Sequence, residues 1–265
     1  MLLFDKNMKV ILITGGAGFI GSNLILHFLK KYPNYIILNV DCLTYASNLE
    51  NLEGTNNYSN YHFINCDIRN KIQLENIFKE FNPKGVIHLA AESHVDNSIE
   101  NPNIFAETNV LGTLNLLNLS LKYGVEKFHH VSTDEVFGSL GLDDPSSLED
   151  SLYKPRSPYS ASKASSDHFV SSFYHTFGLN TVMTNCSNNF GPHQHDEKLL
   201  PTIIRNLVNR KEIPVYGNGE NVRDWLYVED HCSAIDLVFH EGKSGESYNI
   251  GGDMELTNLE IIDRI

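Results

Sequence analysis

The sequence predicts a doubly wound α/β fold with a parallel sheet, and three features carry the prediction. Short β-branched runs alternate with longer stretches of helical periodicity along the 265 residues. A glycine triad sits at the first strand-to-helix turn, and an aspartate closes the second strand.

The first strand is read over 9–14. Gly15, Gly18 and Gly21, with Phe19 and Ile20 between them, then open a helix running to about Lys31. That spacing gives a tight turn, close approach of a pyrophosphate to the helix N-terminus, and tight helix-to-sheet packing. A second strand over 35–40 ends at Asp41, ~20 residues beyond the last glycine, where a carboxylate accepts bonds from ribose hydroxyls and repels a 2′-phosphate. NAD is therefore favoured over NADP, and the fold is Rossmann-like. The polar loop over 41–60 is expected to wrap the adenosine end. A strand over 61–65 leads to Asp67 and Ile68 at the adenine edge, and a helix over 70–80 and a strand over 85–89 follow. Ala90 and its small neighbours let a dinucleotide cross the strand end, with Ser93 and His94 turned toward the cleft. His94 fits either substrate binding or a loop histidine satisfied by backbone.

A helix over 104–123 carries Val110, Leu114, Leu117 and Leu121 at helical spacing, as core or as a subunit contact. The strand over 126–131 delivers Ser132-Thr133-Asp134-Glu135. A polar loop with Asp143-Asp144-Pro145 and Pro155 leads to the helix of Tyr159 and Lys163, which ends near Gly178. Residues 1–184 are expected to form the NAD-binding unit. Residues 185–265 form mainly a small substrate lobe, interleaved with the last elements of the main sheet. That lobe comprises an amide-rich loop over 185–198, helices over 199–210 and 229–240, and tight turns at 217–219 and 251–252. Its cations Lys198, Arg205 and Arg223 suit a diphosphate, since a guanidinium binds phosphate oxygens bidentately.

A formal net charge of -13 argues against a nucleic-acid or membrane-surface role. No apolar run approaches the ~20 residues of a membrane span, and residues 1–7 lack the apolar core of a cleavable signal. Cys42, Cys66, Cys186 and Cys232 are scattered without metal or redox spacing, which points to reduced thiols in a cytoplasmic protein. His193, His195 and Asp196 lack a third histidine at catalytic-zinc spacing, so no metal is expected.

Tyr159 and Lys163 are one helical turn apart, so an ammonium can lie near the phenol and lower its pKa from ~10 toward a usable base. Alone, the pattern also describes a surface tyrosine beside a solvated lysine. The adjacent Asp134 and Glu135 change its meaning. Two neighbouring carboxylates repel, so one can stay protonated as an acid while the other is a base, which is what elimination of water beside a carbonyl requires. Thr133 offers a hydroxyl to orient the sugar oxygen, and the pair reads as an oxidation followed by an elimination.

Thr14-Gly-Gly-Ala-Gly-Phe-Ile-Gly21, Ala90-Ala-Glu-Ser-His-Val-Asp96, Ser132-Thr-Asp-Glu-Val-Phe-Gly138, Tyr159-Ser-Ala-Ser-Lys163, Asn188-Asn-Phe-Gly-Pro192 and Arg223-Asp-Trp-Leu-Tyr-Val-Glu-Asp230 together resemble the dTDP-glucose 4,6-dehydratases of the extended short-chain dehydrogenase/reductase family. The resemblance implies a homodimer through the helices over 104–123 and 159–177, and dTDP-glucose or a related sugar nucleotide as substrate. It makes Thr133, Asp134, Glu135, Tyr159 and Lys163 catalytic. Ser93, His94, Thr133, Asn189, Glu197, Lys198, Arg223 and Asn258 become substrate contacts. NAD would be held by Gly15, Gly18, Phe19, Ile20, Gly21, Asp41, Asp67, Ile68, Ala90, Tyr159 and Lys163. The sequence departs from the pattern at Asn97, where many members have arginine, and at His195-Asp196. It also stops in the helix begun near Leu256, so a truncated substrate lobe is expected. A sugar-nucleotide 4-epimerase, a dehydratase of another nucleotide sugar and a catalytically silent NAD-binding chain are the competing readings.

Overall fold

A computed structural model describes residues 8–140, 144–215 and 217–265. The N-terminal extension over 1–7, and Asp143 of the polar loop, lie outside the described residues.

The chain alternates strand and helix through β1 (Lys9–Thr14), α1 (Phe19–Lys31), β2 (Tyr35–Asp41), a 3-10 helix (Leu49–Asn57), β3 (Tyr61–Asn65), α2 (Lys71–Phe81) and β4 (Gly85–His88). Then come α3 (Val95–Glu100), α4 (Pro102–Phe105), a π-helical segment (Ala106–Gly112), α5 (Thr113–Tyr123), β5 (Lys127–Thr133), a 3-10 turn (Asp134–Phe137), α6 (Pro158–Phe177) and β6 (Thr181–Cys186). The remainder is β7 (Asn188–Phe190), α7 (Leu199–Val208), β8 (Val222–Tyr227), α8 (Val228–Glu241), β9 (Ser247–Ile250), β10 (Glu255–Thr257) and α9 (Asn258–Arg264).

Seven strands form one sheet in the order β3-β2-β1-β4-β5-β6-β9, with every pairing parallel. Parallel strands must be covered on both faces, which is why β1 and β2 read as nearly continuous apolar runs. One face packs Leu12, Leu38, Val86 and Phe128 against Leu74, Phe78, Leu116, Leu117 and Val170 of α2, α5 and α6. The other packs Ile11, Ile13, Ile37 and Ile87 against Leu24, Ile25, Phe28, Cys232, Ile235 and Phe239 of α1 and α8. The strand order reverses between β1 and β4. A crevice opens there at the carboxyl ends of the strands, where such sheets bind ligands.

Helix ends follow local chemistry. Asn70 accepts a bond from the Gln73 N–H at the start of α2, and Ser157 and Ser160 cap α6 reciprocally with Pro158 behind them. Beside the main sheet lies a smaller one of order β10-β8-β7, packed around Ile203, Trp225, Leu256 and Ile261.

Several sequence expectations need correction. The loop over 41–60 contains a 3-10 helix started by Asn48, whose side chain accepts from the Glu50 N–H. The segment after Ala90 turns into α3, and Asn188–Phe190 is a strand paired with β8. The helix expected over 104–123 is interrupted by the π-helical segment. Within α5, Leu116, Leu117 and Leu119 are buried and the expected Leu114 packs partly buried against the core, but Leu121 is turned outward.

Candidate active site

The crevice at the switch point is a cavity of about 340 Å³ running from Asp41 and Asp67 past the glycine turn to Glu135, Tyr159 and Lys198. Its floor is the β1–α1 turn. Gly15 has φ +72, and a Cβ there would stand 2.7 Å from the Ala90 nitrogen, so only glycine lets the two strand ends approach. At Gly21 an added Cβ would strike the Gly15 carbonyl oxygen, which fixes how tightly α1 leaves the sheet. Gly18 stands at the helix N-cap with no side-chain bond, leaving the first-turn amides of α1 to an anion. Thr14 pins the opposite wall. Its hydroxyl accepts from the Leu89 and Ala90 N–H groups at 3.2 Å each.

Asp41 is buried at the end of β2. One carboxylate oxygen accepts from the Ala17 N–H at 2.9 Å, and the other from the Leu43 N–H at 2.8 Å and the Ser47 hydroxyl at 2.9 Å. The side chain is thus aimed and rigid where a ribose would lie. Asp67 is gripped by Arg69 at 2.6 Å, which holds its carboxyl below the usual range.

The reacting end is built by β5, the 3-10 turn after it, and α6. Thr133 closes β5, and its hydroxyl caps the turn by accepting from the Glu135 N–H at 3.3 Å. The turn brings Glu135 into the cleft lining and sets Asp134 next to it, outside that lining. Loss of hydration at the carboxyl and the neighbouring Glu135 push Asp134 up to about 6, although the residue as a whole is exposed. Burial also raises Glu135, opposed by the charges of Arg223 and Lys198. The two carboxyls are therefore disposed to hold a proton unequally.

Tyr159 meets the cleft, but its pKa moves opposite to the sequence expectation. Burial, followed by the charge of Glu135, holds the phenol well above its ordinary value, and the Thr133 hydroxyl opposes this. Lys163 does not reach out to the phenol to reverse it. Its ammonium donates to the Val131 carbonyl at 2.9 Å, with His130 at 3.4 Å. Burial pulls the Lys163 pKa down.

Of the other residues singled out by sequence, Gly15, Gly18, Phe19, Ile20, Gly21, Asp41, Asp67, Ile68, Ala90, Ser93, Thr133, Glu135, Lys163, Asn189, Glu197 and Lys198 all line the cavity. His94, Asp134, Arg223 and Asn258 stand outside that lining. His94 is the N-cap of α3, accepting from the Asn97 N–H at 3.5 Å, and its other nitrogen lies 3.6 Å from Glu197. Arg223 and Asn258 belong to the smaller sheet and its helix; Asn258 is buried with its side-chain oxygen unpartnered. The expected diphosphate ligand Arg205 instead sits on α7 beside Asp196, donating to its carbonyl at 3.2 Å.

Two supporting residues escaped the sequence reading. Asn109, in the π-helical segment, accepts from the Glu92 N–H at 2.8 Å and donates to the Ser162 hydroxyl at 2.9 Å, tying the cleft wall to the helix of Lys163. Such a segment marks functional sites, but helical periodicity alone conceals it. His231 is fully buried and meets the side-chain oxygen of Asn189 at 2.8 Å, fixing the amide that faces the cleft.

A switch-point crevice with a glycine turn, a ribose-aimed aspartate and a Tyr-x-x-x-Lys helix defines the class of extended short-chain dehydrogenases/reductases. Residues 12–265 match the GDP-mannose 4,6-dehydratase family. A dTDP-glucose 4,6-dehydratase of Salmonella typhimurium is 49% identical over 269 residues, covering 95% of this chain and 74% of the relative. The solved dTDP-glucose 4,6-dehydratase of Bacillus anthracis, in complex with NAD, superposes with a TM-score of 0.90 at 47% identity, over 97% of this chain and 79% of the other. The Streptomyces venezuelae enzyme of the same name, also solved with NAD, gives 0.92 at 43% identity, over 97% and 80%. The chain belongs to this family of nucleotide-sugar 4,6-dehydratases, among the dTDP-glucose 4,6-dehydratases.

Proposed function

We propose that the chain converts dTDP-glucose to dTDP-4-keto-6-deoxyglucose and water, and that it does so with NAD. The observation that carries this reading is the 3-10 turn that sets Glu135 in the cleft with Tyr159 and holds Asp134 next to it. Gly15, Gly18, Phe19, Ile20 and Gly21 would hold the pyrophosphate, Asp41 the ribose, and Asp67 and Ile68 the adenine edge. Bound NAD supplies the two-electron oxidant for C4 of the sugar and gives the same electrons back to C6.

The chain's own groups do the proton work. Thr133 orients the C4 hydroxyl, and Tyr159, assisted by Lys163, takes its proton. The new C4 ketone acidifies the C5 hydrogen, which Glu135 removes. Asp134 protonates the C6 hydroxyl, so that water leaves and a C5–C6 double bond forms. Glu135 returns a proton to C5 as C6 is reduced, and the net change is loss of one water. Ser93, His94, Asn189, Glu197, Lys198, Arg223 and Asn258 are assigned to the sugar nucleotide, so residues 185–265 supply most of its contacts.

We further assign a homodimer through α5 and α6. The assignment is supported by Leu121, Phe169 and Phe177, which stand 39%, 38% and 54% exposed on those helices. A cytoplasmic location agrees with four free cysteines and with the absence, among the described residues, of a helix long and apolar enough to cross a membrane.

The test is to mix the purified chain with NAD and dTDP-glucose and follow the sugar nucleotide by mass spectrometry. Loss of one water, abolished in Glu135→Gln, is expected. An epimer of unchanged mass would overturn the dehydratase reading in favour of an epimerase, and faster dehydration of UDP-glucose or GDP-mannose would move the substrate assignment.

A further inference from the structure

Behind Lys163, on the side away from the cleft, lies a polar cluster that the proposed chemistry leaves unused. The side chains of His130 on β5 and Asp167 on α6 are each 1% exposed, with His130 Nε2 3.1 Å from Asp167 Oδ1. The same Nε2 is 3.4 Å from Lys163 Nζ. The other Asp167 oxygen accepts from the Ser132 hydroxyl at 2.8 Å and the Tyr153 hydroxyl at 3.1 Å. Burying a carboxylate and an ammonium costs several kcal/mol each before pairing, so stability alone is a poor reason for the arrangement.

The same nitrogen faces the Lys163 ammonium, the Asp167 carboxylate and, at 3.4 Å, the Ser166 hydroxyl, which itself donates to the Lys163 carbonyl, so the site of the imidazole proton decides the geometry. His130 Nδ1 has no partner among the described residues, and a proton there would bury an unpaired N–H. A proton on Nε2 instead lies on the side of Asp167 Oδ1, 3.1 Å away and without a hydrogen bond of its own among the described residues, and the Lys163 ammonium keeps the Val131 carbonyl. The surrounding groups do not compete for this role. His88 from β4 lies 5.2 Å from His130, ring to ring, and burial holds both imidazoles neutral. Cys186 from β6 has its thiol pushed up to about 12 by burial, and burial likewise keeps the phenols of Tyr153 and Tyr159 protonated. Within this cluster Asp167 is the anion at neutral pH. Its own pKa is held low by His130 and Lys163 against the effect of burial.

We propose that Asp167, oriented through His130, is a positioning residue that keeps the Lys163 ammonium charged and in place at the Val131 carbonyl, one helical turn from Tyr159 on α6. The inference rests on the roles proposed above for Tyr159 and Lys163. Asp167→Asn preserves shape and removes the charge. It should lower kcat about tenfold or more near neutral pH, leave KM for dTDP-glucose within about twofold, and move the acidic limb of the kcat profile about one pH unit or more upward. Asp167→Glu should bring the limb back. A residue that only packs would cut activity without moving the limb, and an unmoved limb overturns the proposal.

If Asp167→Asn does not fold, a pair at His130 keeps the question open to refutation. His130→Gln can donate to Asp167 and accept from Lys163 at once and should leave the limb in place, whereas His130→Leu should move it. Nitrogen NMR of labelled histidine gives a readout independent of turnover. The resonance lost in His130→Gln should report the Nε2-protonated tautomer, and an Nδ1-protonated tautomer would sink the proposal. A chain with that Nε2 tautomer but no dehydratase activity would refute the proposed function and leave this cluster standing.

Discussion

Replacing Asp134 with asparagine separates stability from chemistry. The carboxyl is pushed from 3.8 up to about 6, first by burial and then by the charge of Glu135. A change of that size would set about 3 kcal/mol against the ionised form if the group were fully desolvated. The residue is exposed, and solvent screening reduces this to about 1 kcal/mol. Because the folded-state pKa lies above the unfolded one, the stability tied to protonated Asp134 is full below pH ~4 and is lost as pH rises through about 6. Asparagine cannot ionise. Asp134→Asn should therefore match the parent in urea unfolding near pH ~4 and exceed it by about 1 kcal/mol near pH ~8. The same substitution removes the proton given to the C6 hydroxyl and should slow water loss by about 10²–10⁴. Exchange of the C5 hydrogen with deuterated solvent should continue, because Glu135 remains. Elimination within about threefold of the parent, or equal destabilisation at both pH values, would refute the assignment of Asp134 as the acid.

Three further perturbations follow from the same geometry. Gly15→Ala places a Cβ 2.7 Å from the Ala90 nitrogen at φ +72; it should lower Tm and weaken NAD binding about tenfold or more, read by thermal shift with and without NAD. Tyr159→Phe should cost about 10²–10⁴ in C4 oxidation, read as the rate of NADH formation in a single turnover. Phe169→Glu puts a charge on the outer face of α6, where Phe169 is 38% exposed; light scattering should show a monomer, and a persisting dimer would move the interface elsewhere.

The central sheet was legible in sequence for a physical reason. Strands covered on both faces need unbroken apolar runs, and Val10 to Ile13 and Ile36 to Leu38 are such runs with almost no exposed surface. The glycine turn was legible because the contacts at Gly15 and Gly21 exclude every other residue. The π-helical segment was not, because one extra residue in a turn leaves the apolar spacing on either side nearly unchanged. Asn109 therefore looked like any polar residue on a helix. His130 and Asp167 were hidden for the opposite reason: isolated in the sequence they suggest exposure, and only β5 packing on α6 reveals them as buried partners.

The roles of the two carboxylates were inferred from their mutual repulsion, yet repulsion alone cannot say which one keeps the proton. The asymmetry comes from charges on β8 of the smaller sheet and at the start of α7. Arg223 and Lys198 both act to keep Glu135 ionised, while Asp134 receives Arg223 but is opposed by Asp224 as well as Glu135. Asp224 is itself fixed on β8, accepting from the Gly252 and Met254 N–H groups at 2.7 and 2.8 Å. The difference between the two carboxyls thus comes in part from charges outside the cofactor-binding sheet, and it favours the proposed assignment of Asp134 as acid and Glu135 as base. A substitution such as Arg223→Gln should raise the pKa of both carboxyls, so the basic limb of the elimination profile would move upward together with the limb set by Glu135. Movement of only one limb would show that Arg223 serves a single carboxylate.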